Sequence, residues 1–514
     1  MAFFVALTPI LLILILMVGF KWSASRAGAA GYLWVLWTAI LFFGANATLL
    51  AYAHAKALLL SIDVLMIIWA AFLLYRVTDE AGAIKAIGES LPHLTNERGM
   101  QALIIGWVFA TFLQGVGGFG VPVAVTAPMM VGLGFSPLAA VISASIGHAW
   151  GVTFGSMGSS FQALIATTNL SDYSLAPFSA LFLGIAGLAG GFMVAFICSG
   201  WKSIRRLWLA IIIIGTVMGA THYLTAISRL WNMASFVAGI AGLVMIFPLA
   251  RLFPGEKIDN GILRWKSLLI ALSGYLVLVA VILLVQVYPP MKQLLGKIIL
   301  SFDFPEISTS SGLLRNTPFI TPAGSGRKIS LFNHTGMVLF YTSVFAYLVY
   351  RWLGCYSPGS VQRIISGTLK SVLSPSVSIT SMITMAVIME IVGMTDILAR
   401  GMAGSVGALF PIISPWIGAL GAFITGSNTN SNVLFAGLQM QTALLLQLNK
   451  TIILAAQTAG GALASVLAPT KIIVGASTAR MAGREGEIMR SLVPYIGFLI
   501  LLISALTVVF LRVL

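Results

Sequence analysis

Apolar stretches of roughly 20 residues, the length a helix needs to cross a bilayer, recur along almost the whole chain and are separated by short polar segments. Polar amphipathic connectors are expected at 76–98 and 357–370. The pattern predicts an all-α polytopic membrane protein. Its uninterrupted spans are expected at about 2–20, 30–53, 57–75, 176–199, 207–225, 232–250, 267–288, 335–352, 372–394 and 491–512.

Two further apolar segments, 99–134 and 405–447, are each interrupted by small and polar residues, so that neither half is long enough to span a bilayer. Backbone groups at such a break must be satisfied by protein, water or a ligand. Each segment therefore predicts a re-entrant hairpin with a polar tip. The two tips align without a gap; they contain Gln114, Gly115, Gly117, Gly118, Phe119 and Gly120 in the first hairpin, and Thr425, Gly426, Ser427, Asn428, Thr429, Asn430, Ser431 and Asn432 in the second.

Each hairpin is followed by a long apolar helix with a second polar break. Paired interrupted helices at corresponding positions of two halves are a sequence indication of a transporter's binding site. We therefore predict that the two tips and the two breaks bind substrate together. The break residues are Gly155, Ser156, Gly158, Ser159 and Ser160 in the first half, and Gln457, Thr458, Thr470 and Lys471 in the second.

The number of spans in each half predicts how the halves are oriented. Counting its broken helix, each half has five spans besides its hairpin, an odd number, so the two halves are expected to be inverted repeats. The first repeat is placed at 1–199, with scaffold spans in 1–75 and a core at 99–168. Linking spans fill 200–255. The second repeat is placed at 256–514, with scaffold spans in 267–394 and a core at 405–479.

Composition and charge agree with a membrane protein. Only 8% of the 514 residues are charged and 59% are hydrophobic, whereas soluble domains carry about 25% charged residues. The net charge of +15 comes from basic residues scattered between spans, so it indicates topology rather than nucleic-acid binding. The excess of basic residues in the loops assigned to the cytoplasm predicts that both termini lie outside. The two cysteines, Cys198 and Cys355, have no metal-site spacing and are expected to be free thiols.

The chemistry of the breaks favours an anionic substrate. No Asp or Glu lies between Glu97 and Asp172, or between Asp396 and Glu485. Hydroxyls, amides and the N–H groups of half-helix N-termini can hold a carboxylate. The alternative reading of the glycines is that they only allow close helix packing.

Four ionisable side chains lie within the apolar segments, and each has a functional and a structural interpretation. Lys471 is either a counter-charge for the anion or a lysine that reaches the cytoplasmic edge of a short half-helix. His148, Glu390 and Asp63 are candidates to carry a coupling proton. The alternatives are a hydrogen-bonded core histidine for His148, and structural partners of a neighbouring helix for Asp63 and Glu390.

Recognisable motifs of both cores lie at 112–115, 118–124, 132–135, 154–158, 425–432, 434–436, 460–461 and Pro469. They resemble the motifs of the L-lactate permease family. The resemblance implies symport of L-lactate, glycolate or a similar 2-hydroxy monocarboxylate with protons across a prokaryotic inner membrane, and an elevator motion of both hairpin cores past a scaffold. Family members carry acids at the positions of Gln114 and Asn428 and lack the lysine at 471, so coupling in this chain is expected to use other groups or another cation.

The expected function is thus a secondary active transporter of small organic anions, without a cofactor other than its coupling cation. Transport of a dicarboxylate or sulfonate, and coupling to sodium, are alternatives. A channel and an intramembrane enzyme are less favoured, because no histidine pair, nucleophile elbow or P-loop is present. The partners expected are the anion and the lipid bilayer, with a homodimer possible. The sequence predicts no role for the segment 289–333.

Overall fold

The computed structural model describes residues 1–118, 120–252, 265–314, 317–325 and 328–513. These residues are mostly helical. The first half also contains a π-helical stretch, Leu103–Phe109, and 3₁₀ turns at Leu91–Leu94 and Trp231–Met233. Its helices are α1 (Ala2–Val18), α2 (Ala24–Phe43), α3 (Ala47–Glu80), α4 (Ala83–Ser90), α5 (Arg98–Ala102), α6 (Ala110–Val116), α7 (Val121–Gly132), α8 (Pro137–Ala149), α9 (Ser159–Thr168), α10 (Asp172–Ala226) and α11 (Ala234–Leu252).

The second half adds a π-helical stretch at Leu283–Val287 and 3₁₀ turns at Gly407–Leu409 and Ser465–Leu467. Ten helical segments of the described chain are long and apolar enough to cross a membrane. The helices of this half are α12 (Trp265–Ile282), α13 (Pro289–Leu295), α14 (Thr335–Trp352), α15 (Ser360–Ile391), α16 (Met394–Val406), α17 (Phe410–Thr425), α18 (Asn428–Leu445), α19 (Lys450–Ala464), α20 (Pro469–Thr478) and α21 (Glu485–Val513).

Several predicted span boundaries are shifted in the structure. The turn between the second and third helices lies at 44–46, not at 54–56, because Gly44 adopts a left-handed conformation (φ 68°) and Asn46 caps α3 through its side chain. Lys56 therefore lies inside α3. The spans predicted at 176–199 and 207–225 form one run, α10, interrupted only at Gly200 (φ 66°, ψ −162°). The connector 357–370 likewise continues into α15.

The polar tips and breaks also have other bounds than predicted. Ser427 caps α18, so the run from Asn428 to Asn432 is helical. Gln457 and Thr458 lie inside α19, whereas the interruption of the second broken helix at 465–468 directly precedes Thr470 and Lys471, which belong to α20. The first broken helix is interrupted over 150–158. Short polar side chains can cap or point inward from a helix, which is why composition alone misplaces such boundaries.

The segment 289–333 contains six two-residue strands, in contrast to the all-α prediction. They pair antiparallel as β1 with β6, β2 with β5 and β3 with β4, forming an arm. The arm docks on the turn between α2 and α3, where Ser310 N–H donates to Gly44 O (2.8 Å) and Asn46 Nδ2 donates to Ser308 O (3.2 Å). Its strands are β1 (Ile299–Leu300), β2 (Asp303–Phe304), β3 (Ile307–Ser308), β4 (Ile320–Thr321), β5 (Gly324–Ser325) and β6 (Ile329–Ser330).

Candidate functional site

Gly426 and Ser427 form the tip of the second hairpin, where α17 ends and α18 begins. Gly426 ends α17 in a left-handed conformation (φ 73°), which an L side chain rarely adopts. Ser427 then accepts a hydrogen bond from Asn430 N–H (3.3 Å) and starts α18. Asn428, Thr429 and Asn432 consequently project from the first turns of one helix, and all three are buried.

Two of these amides join the tip to both broken helices. Asn428 Nδ2 donates to Thr153 Oγ1 (3.1 Å) and to Thr458 Oγ1 (3.3 Å). Asn432 Nδ2 donates to Thr458 Oγ1 (3.0 Å) and to Ser160 O (2.9 Å). The tip of the second half thus lies between α19 and the broken helix of the first half, although these segments are far apart in sequence.

Hydroxyl contacts complete this cluster. The Thr153 and Thr458 hydroxyls lie 3.2 Å apart, and the Ser160 and Thr429 hydroxyls lie 3.0 Å apart. Thr153 was missed by sequence reasoning, because it precedes the predicted break by two residues and lies between apolar neighbours. We call Thr153, Ser160, Asn428, Asn432 and Thr458 the amide–hydroxyl cluster.

Several buried acceptors at the tips have no hydrogen-bond partner within the described protein. They include Asn428 Oδ1, Asn432 Oδ1 and Gln114 Oε1. A buried polar atom without a partner costs about 1–3 kcal/mol. These oxygens are therefore available to donors from water or from a bound molecule, such as the hydroxyl of a small substrate.

The tip of the first hairpin contacts the first break through its main chain. Ser156 N–H donates to Gln114 O (2.8 Å), and Met157 N–H donates to Gly115 O (3.1 Å). Gly118 has a positive φ of 57°, and a Cβ there would overlap Ser156 Oγ. Phe119, which was also predicted at this tip, lies outside the described residues.

Some glycines of the first half are explained by close helix packing, and others lie beside the polar tip. A Cβ on Gly115 would lie 2.5 Å from Phe236 Cα, and one on Gly158 would lie 2.6 Å from the Trp231 ring. Both positions are therefore explained by close packing, as the alternative reading had it. Gly117 faces Tyr75, and Gly120 starts α7 with φ 92°. Gly155 adjoins the Gln114 amide and is the break glycine nearest to a polar tip side chain.

The second break places Lys471 beside a hydroxyl. Its Nζ donates to Ser465 Oγ (2.9 Å), and no Asp or Glu lies within ion-pair distance of it among the described residues. Its neighbour Thr470 faces the second tip, since a Cβ on Gly426 would lie 2.9 Å from Thr470 Oγ1. Lys471 thus adds one positive charge near a tip that contains no acid.

His148 is buried at the end of α8. Its Nδ1 lies 2.6 Å from Ala144 O, so Nδ1 must carry the proton and Nε2 is left as an acceptor without a partner in the described protein.

The two carboxylates predicted as coupling groups lie apart from the tips. Glu390 pairs with Lys56 (3.2 Å) and is half exposed, which fits its structural reading. Asp63 accepts hydrogen bonds from Gln162 Nε2 (2.6 Å) and from His334 Nε2 (2.9 Å). Neither Gln162 nor His334 was predicted, and each is a single polar residue whose partner lies in another part of the chain.

The described part of the structure contains a cavity of about 490 Å³. It lies between α3 and α15 on one side and α9 and α18 on the other, and the arm covers part of its rim. The Lys56–Glu390 pair lines it, as does Val433, the neighbour of Asn432. The five residues of the amide–hydroxyl cluster do not line the cavity themselves.

Sequence comparison identifies the family of this chain. A sequence model of the L-lactate permease family matches residues 2–514. The chain belongs to the L-lactate permease family. It is 26% identical to the glycolate permease GlcA of Escherichia coli over 95% of this chain and 88% of the relative. It is 27% identical to the L-lactate permease of Salmonella typhi over 84% of this chain and 81% of the relative. The protein is therefore a multi-pass membrane permease and not an enzyme.

Among solved structures, the YdaH transporter of Alcanivorax borkumensis matches with a TM-score of 0.49 and 16% identity, over 90% of this chain and 89% of that one. MtrF of Neisseria gonorrhoeae matches with a TM-score of 0.46 and 14% identity, over 90% and 85% of the two chains.

Proposed function

We propose that this permease is a secondary active transporter of small organic anions, first of all 2-hydroxy monocarboxylates such as L-lactate and glycolate, which its relatives' names mention. The observation that carries the proposal is the amide–hydroxyl cluster, which is formed by parts of both halves, contains no acid, and has Lys471 on the neighbouring break. Its hydroxyls can donate to a carboxylate, while the unpartnered amide oxygens can accept from a 2-hydroxyl group.

The test is uptake of labelled L-lactate into liposomes that contain the purified protein. An inward proton gradient, an inward sodium gradient and no gradient are compared. Accumulation above equilibrium that saturates with lactate supports a carrier, whereas uptake that only follows the lactate gradient would support a channel. Absence of lactate uptake under all three conditions would contradict the proposed substrate.

The proposed transport motion is a displacement of the cores 99–168 and 405–479 past a scaffold formed by 1–75 and 267–394, the two halves being inverted repeats. Polar contacts between these parts include Asn430 Nδ2 with Ser378 Oγ (2.9 Å) and Gln162 with Asp63. Such contacts can be exchanged during a rigid-body movement, whereas the cluster itself lies within the cores and can move with the substrate.

The proposed setting is a prokaryotic inner membrane with both termini outside, and the proposed coupling ion is the proton. Proton symport lets an inward gradient drive the anion against its own gradient and its repulsion by a negative interior. The arm 299–330 then lies on the outer side.

A larger anion is a second candidate, and one observation favours it. Lys471 has Ser465 as its hydrogen-bond partner and no acid within ion-pair distance in the described chain, so its ammonium group is open to a second anionic group. A dicarboxylate or a sulfonate would use this charge in addition to the cluster. Inhibition of L-lactate uptake by unlabelled malonate, succinate and small sulfonates compares these substrates directly.

A further inference from the structure

The cavity between α3, α15, α9 and α18 is bounded by the proposed scaffold, the proposed core and the arm together. The scaffold contributes Leu60 and Met389, the core contributes Leu438, and the arm contributes Ile320. The volume of about 490 Å³ lies within the range of about 300–1,000 Å³ in which protein pockets enclose drug-sized ligands. L-Lactate carries only a methyl group on its hydroxy-acid unit, so the cavity has room for a much larger molecule.

Much of the scaffold and core lining of this cavity is apolar. Methionine is unbranched and flexible, so two methionines in this wall can adapt to the shape of an alkyl chain. Transfer of such a chain from water to an apolar wall is favourable. The buried apolar side chains that line the cavity include Leu60, Met385 and Met389 on the scaffold, and Val433 and Leu438 on the core.

One ion pair lies at this apolar wall. Lys56 Nζ and Glu390 Oε2 are 3.2 Å apart, and their side chains are 29% and 51% exposed, so a ligand can reach both. Glu390 Oε2 is the hydrogen-bond partner of Lys56 in the described chain. An ammonium group carries several N–H donors, and both oxygens of a carboxylate accept. The pair therefore presents further donors on Lys56 beside a second acceptor, Glu390 Oε1.

The charges at the cavity compensate each other. Lys56 compensates Glu390, and the other acid of the described lining, Asp396, pairs with Arg400 (3.0 Å). A carboxylate that enters the cavity therefore meets no uncompensated acid among the described lining residues.

A 2-hydroxy carboxylate matches the donors and the acceptor of this ion pair. Its carboxylate accepts from Lys56 Nζ, and its hydroxyl, on the neighbouring carbon, donates to Glu390 Oε1. Leu60 lies about one turn of α3 from Lys56, on the same side of the helix, and Met389 precedes Glu390. An alkyl chain on the hydroxy acid therefore extends from the ion pair along the apolar wall.

We propose that this cavity is a second ligand site, which takes a 2-hydroxy monocarboxylate with a medium-length alkyl chain at Lys56 and Glu390 and thereby blocks the movement of the core. Its walls belong to both scaffold and core, so the cavity keeps this shape at one position of the core only. A ligand that binds one of two positions shifts the equilibrium towards it. The effect on transport rests on the proposed core movement, whereas the binding does not.

The second site is separate from the proposed substrate site, because no residue of the amide–hydroxyl cluster lines the cavity. The long-chain acid and L-lactate are therefore expected to bind at the same time. Inhibition should lower the Vmax of L-lactate uptake without raising its KM. At a ligand concentration of about ten times Kd, Vmax is expected to fall about tenfold.

The experiment measures binding of radiolabelled 2-hydroxyoctanoate to the purified protein in detergent, with and without excess unlabelled L-lactate. L-Lactate is expected to leave the binding unchanged. Octanoate, which lacks the hydroxyl donor to Glu390, is expected to bind about tenfold more weakly. The effect of 2-hydroxyoctanoate on the Vmax and KM of L-lactate uptake is then measured in liposomes.

Two variants test the position of the site. Lys56→Met removes the donors to the carboxylate, and Gly437→Leu fills the cavity, because Gly437 lines it and a Cβ there meets no atom within 4 Å. Each is expected to raise Kd for 2-hydroxyoctanoate at least about tenfold. The matched controls are Lys85→Met, a lysine paired with Glu89 (3.8 Å), and Gly404→Leu, another helix position with open space, and both should bind as the wild type does.

Each result decides a different statement. Absence of binding, displacement by L-lactate, a raised KM, or an unchanged Kd in both cavity variants would overturn the second site and leave the anion transport proposal intact. If Gly437→Leu does not fold, the comparison of Lys56→Met with Lys85→Met decides. An unchanged Vmax with the ligand bound would overturn the block of the core. Failure of the wild type to transport L-lactate would overturn the proposed substrate, while the binding measurement would still decide the site.

Discussion

Asn428 connects the second tip to both broken helices, and no other side chain of the tip contacts Thr153 and Thr458 together. Its Nδ2 makes both bonds, while its Oδ1 has no partner in the described protein. An amide with one satisfied end and one open end can position a substrate hydroxyl without charge. This arrangement places Asn428 at the centre of the proposed site.

We predict that Asn428→Ala lowers kcat/KM for the transported anion by about tenfold or more, because a buried hydrogen-bond group is lost from the site. Concentration-dependent uptake in liposomes measures the effect. Asn449→Ala, at the exposed cap of α19, is the matched control and is expected to retain wild-type uptake. Equal kinetics for Asn428→Ala and wild type would exclude Asn428 from the site.

Lys471 provides a second prediction at the scale of one residue. Lys471→Met retains most of the side-chain length but removes the charge, and we expect KM for the anion to rise about tenfold with a smaller change in kcat. Lys471→Arg keeps the charge and should recover part of the affinity. Lys450→Met, at the start of α19, is the control. A KM unaffected by Lys471→Met would support the alternative of a lysine that only reaches the membrane surface.

Close packing of short helices is the feature that holds the second core together. Helix α19 passes so near to α17 that a Cβ on Gly460 would overlap Pro415 O, and one on Gly418 would overlap Gln457 O. Small residues commonly allow such approach between membrane helices. The Ser414 hydroxyl of α17 donates to Gln439 Oε1 of α18 (2.5 Å) and to Ile453 O of α19 (3.2 Å), so it joins α18 and α19 to α17.

At this scale we predict that Gly460→Ala destabilises the protein by about 1–3 kcal/mol, because the added methyl has no room and α17 must shift. Gly497→Ala, in α21 with open space around the position, is the matched control and should be neutral or stabilising by up to about 1 kcal/mol. Thermal unfolding in detergent compares the two variants. The same midpoint for both would mean that the helix contact relaxes at little cost.

The whole molecule is proposed to work by movement of the cores relative to the scaffold. The cavity between α3 and α15 on one side and α9 and α18 on the other lies along this boundary. Asn430 crosses it to Ser378. Fixing such a boundary contact should stop transport, whereas fixing a contact within the core should not.

We predict that bridging Asn430→Cys to Ser378→Cys with mercuric ion, in a chain whose Cys198 and Cys355 are replaced by Ser, abolishes uptake and that excess thiol restores it. The control pair Ser414→Cys and Gln439→Cys lies within the second core and should show the same uptake before and after bridging. Undiminished uptake with the boundary pair bridged would contradict the elevator motion.

The sequence by itself determined the helical membrane fold, the positions of the polar interruptions and the family. Spans, tips and breaks are local patterns, because a bilayer requires long apolar segments and makes any polar interruption conspicuous. The runs at Gly426–Asn432 and Gly155–Ser160 were therefore recognisable without neighbours. The helix boundaries within these runs were harder to predict, because Ser427 caps α18 and Asn428 is therefore helical.

Only the tertiary structure decided which polar residues meet. Three hydrogen-bonded pairs join segments that are distant in sequence: Asn428 with Thr153, Asp63 with Gln162, and Asp63 with His334. A single polar residue in an apolar helix has the same local signal whether its partner is a substrate, a structural neighbour or a proton. The partner is set by how helices pack across the molecule, and no spacing along the chain contains that information.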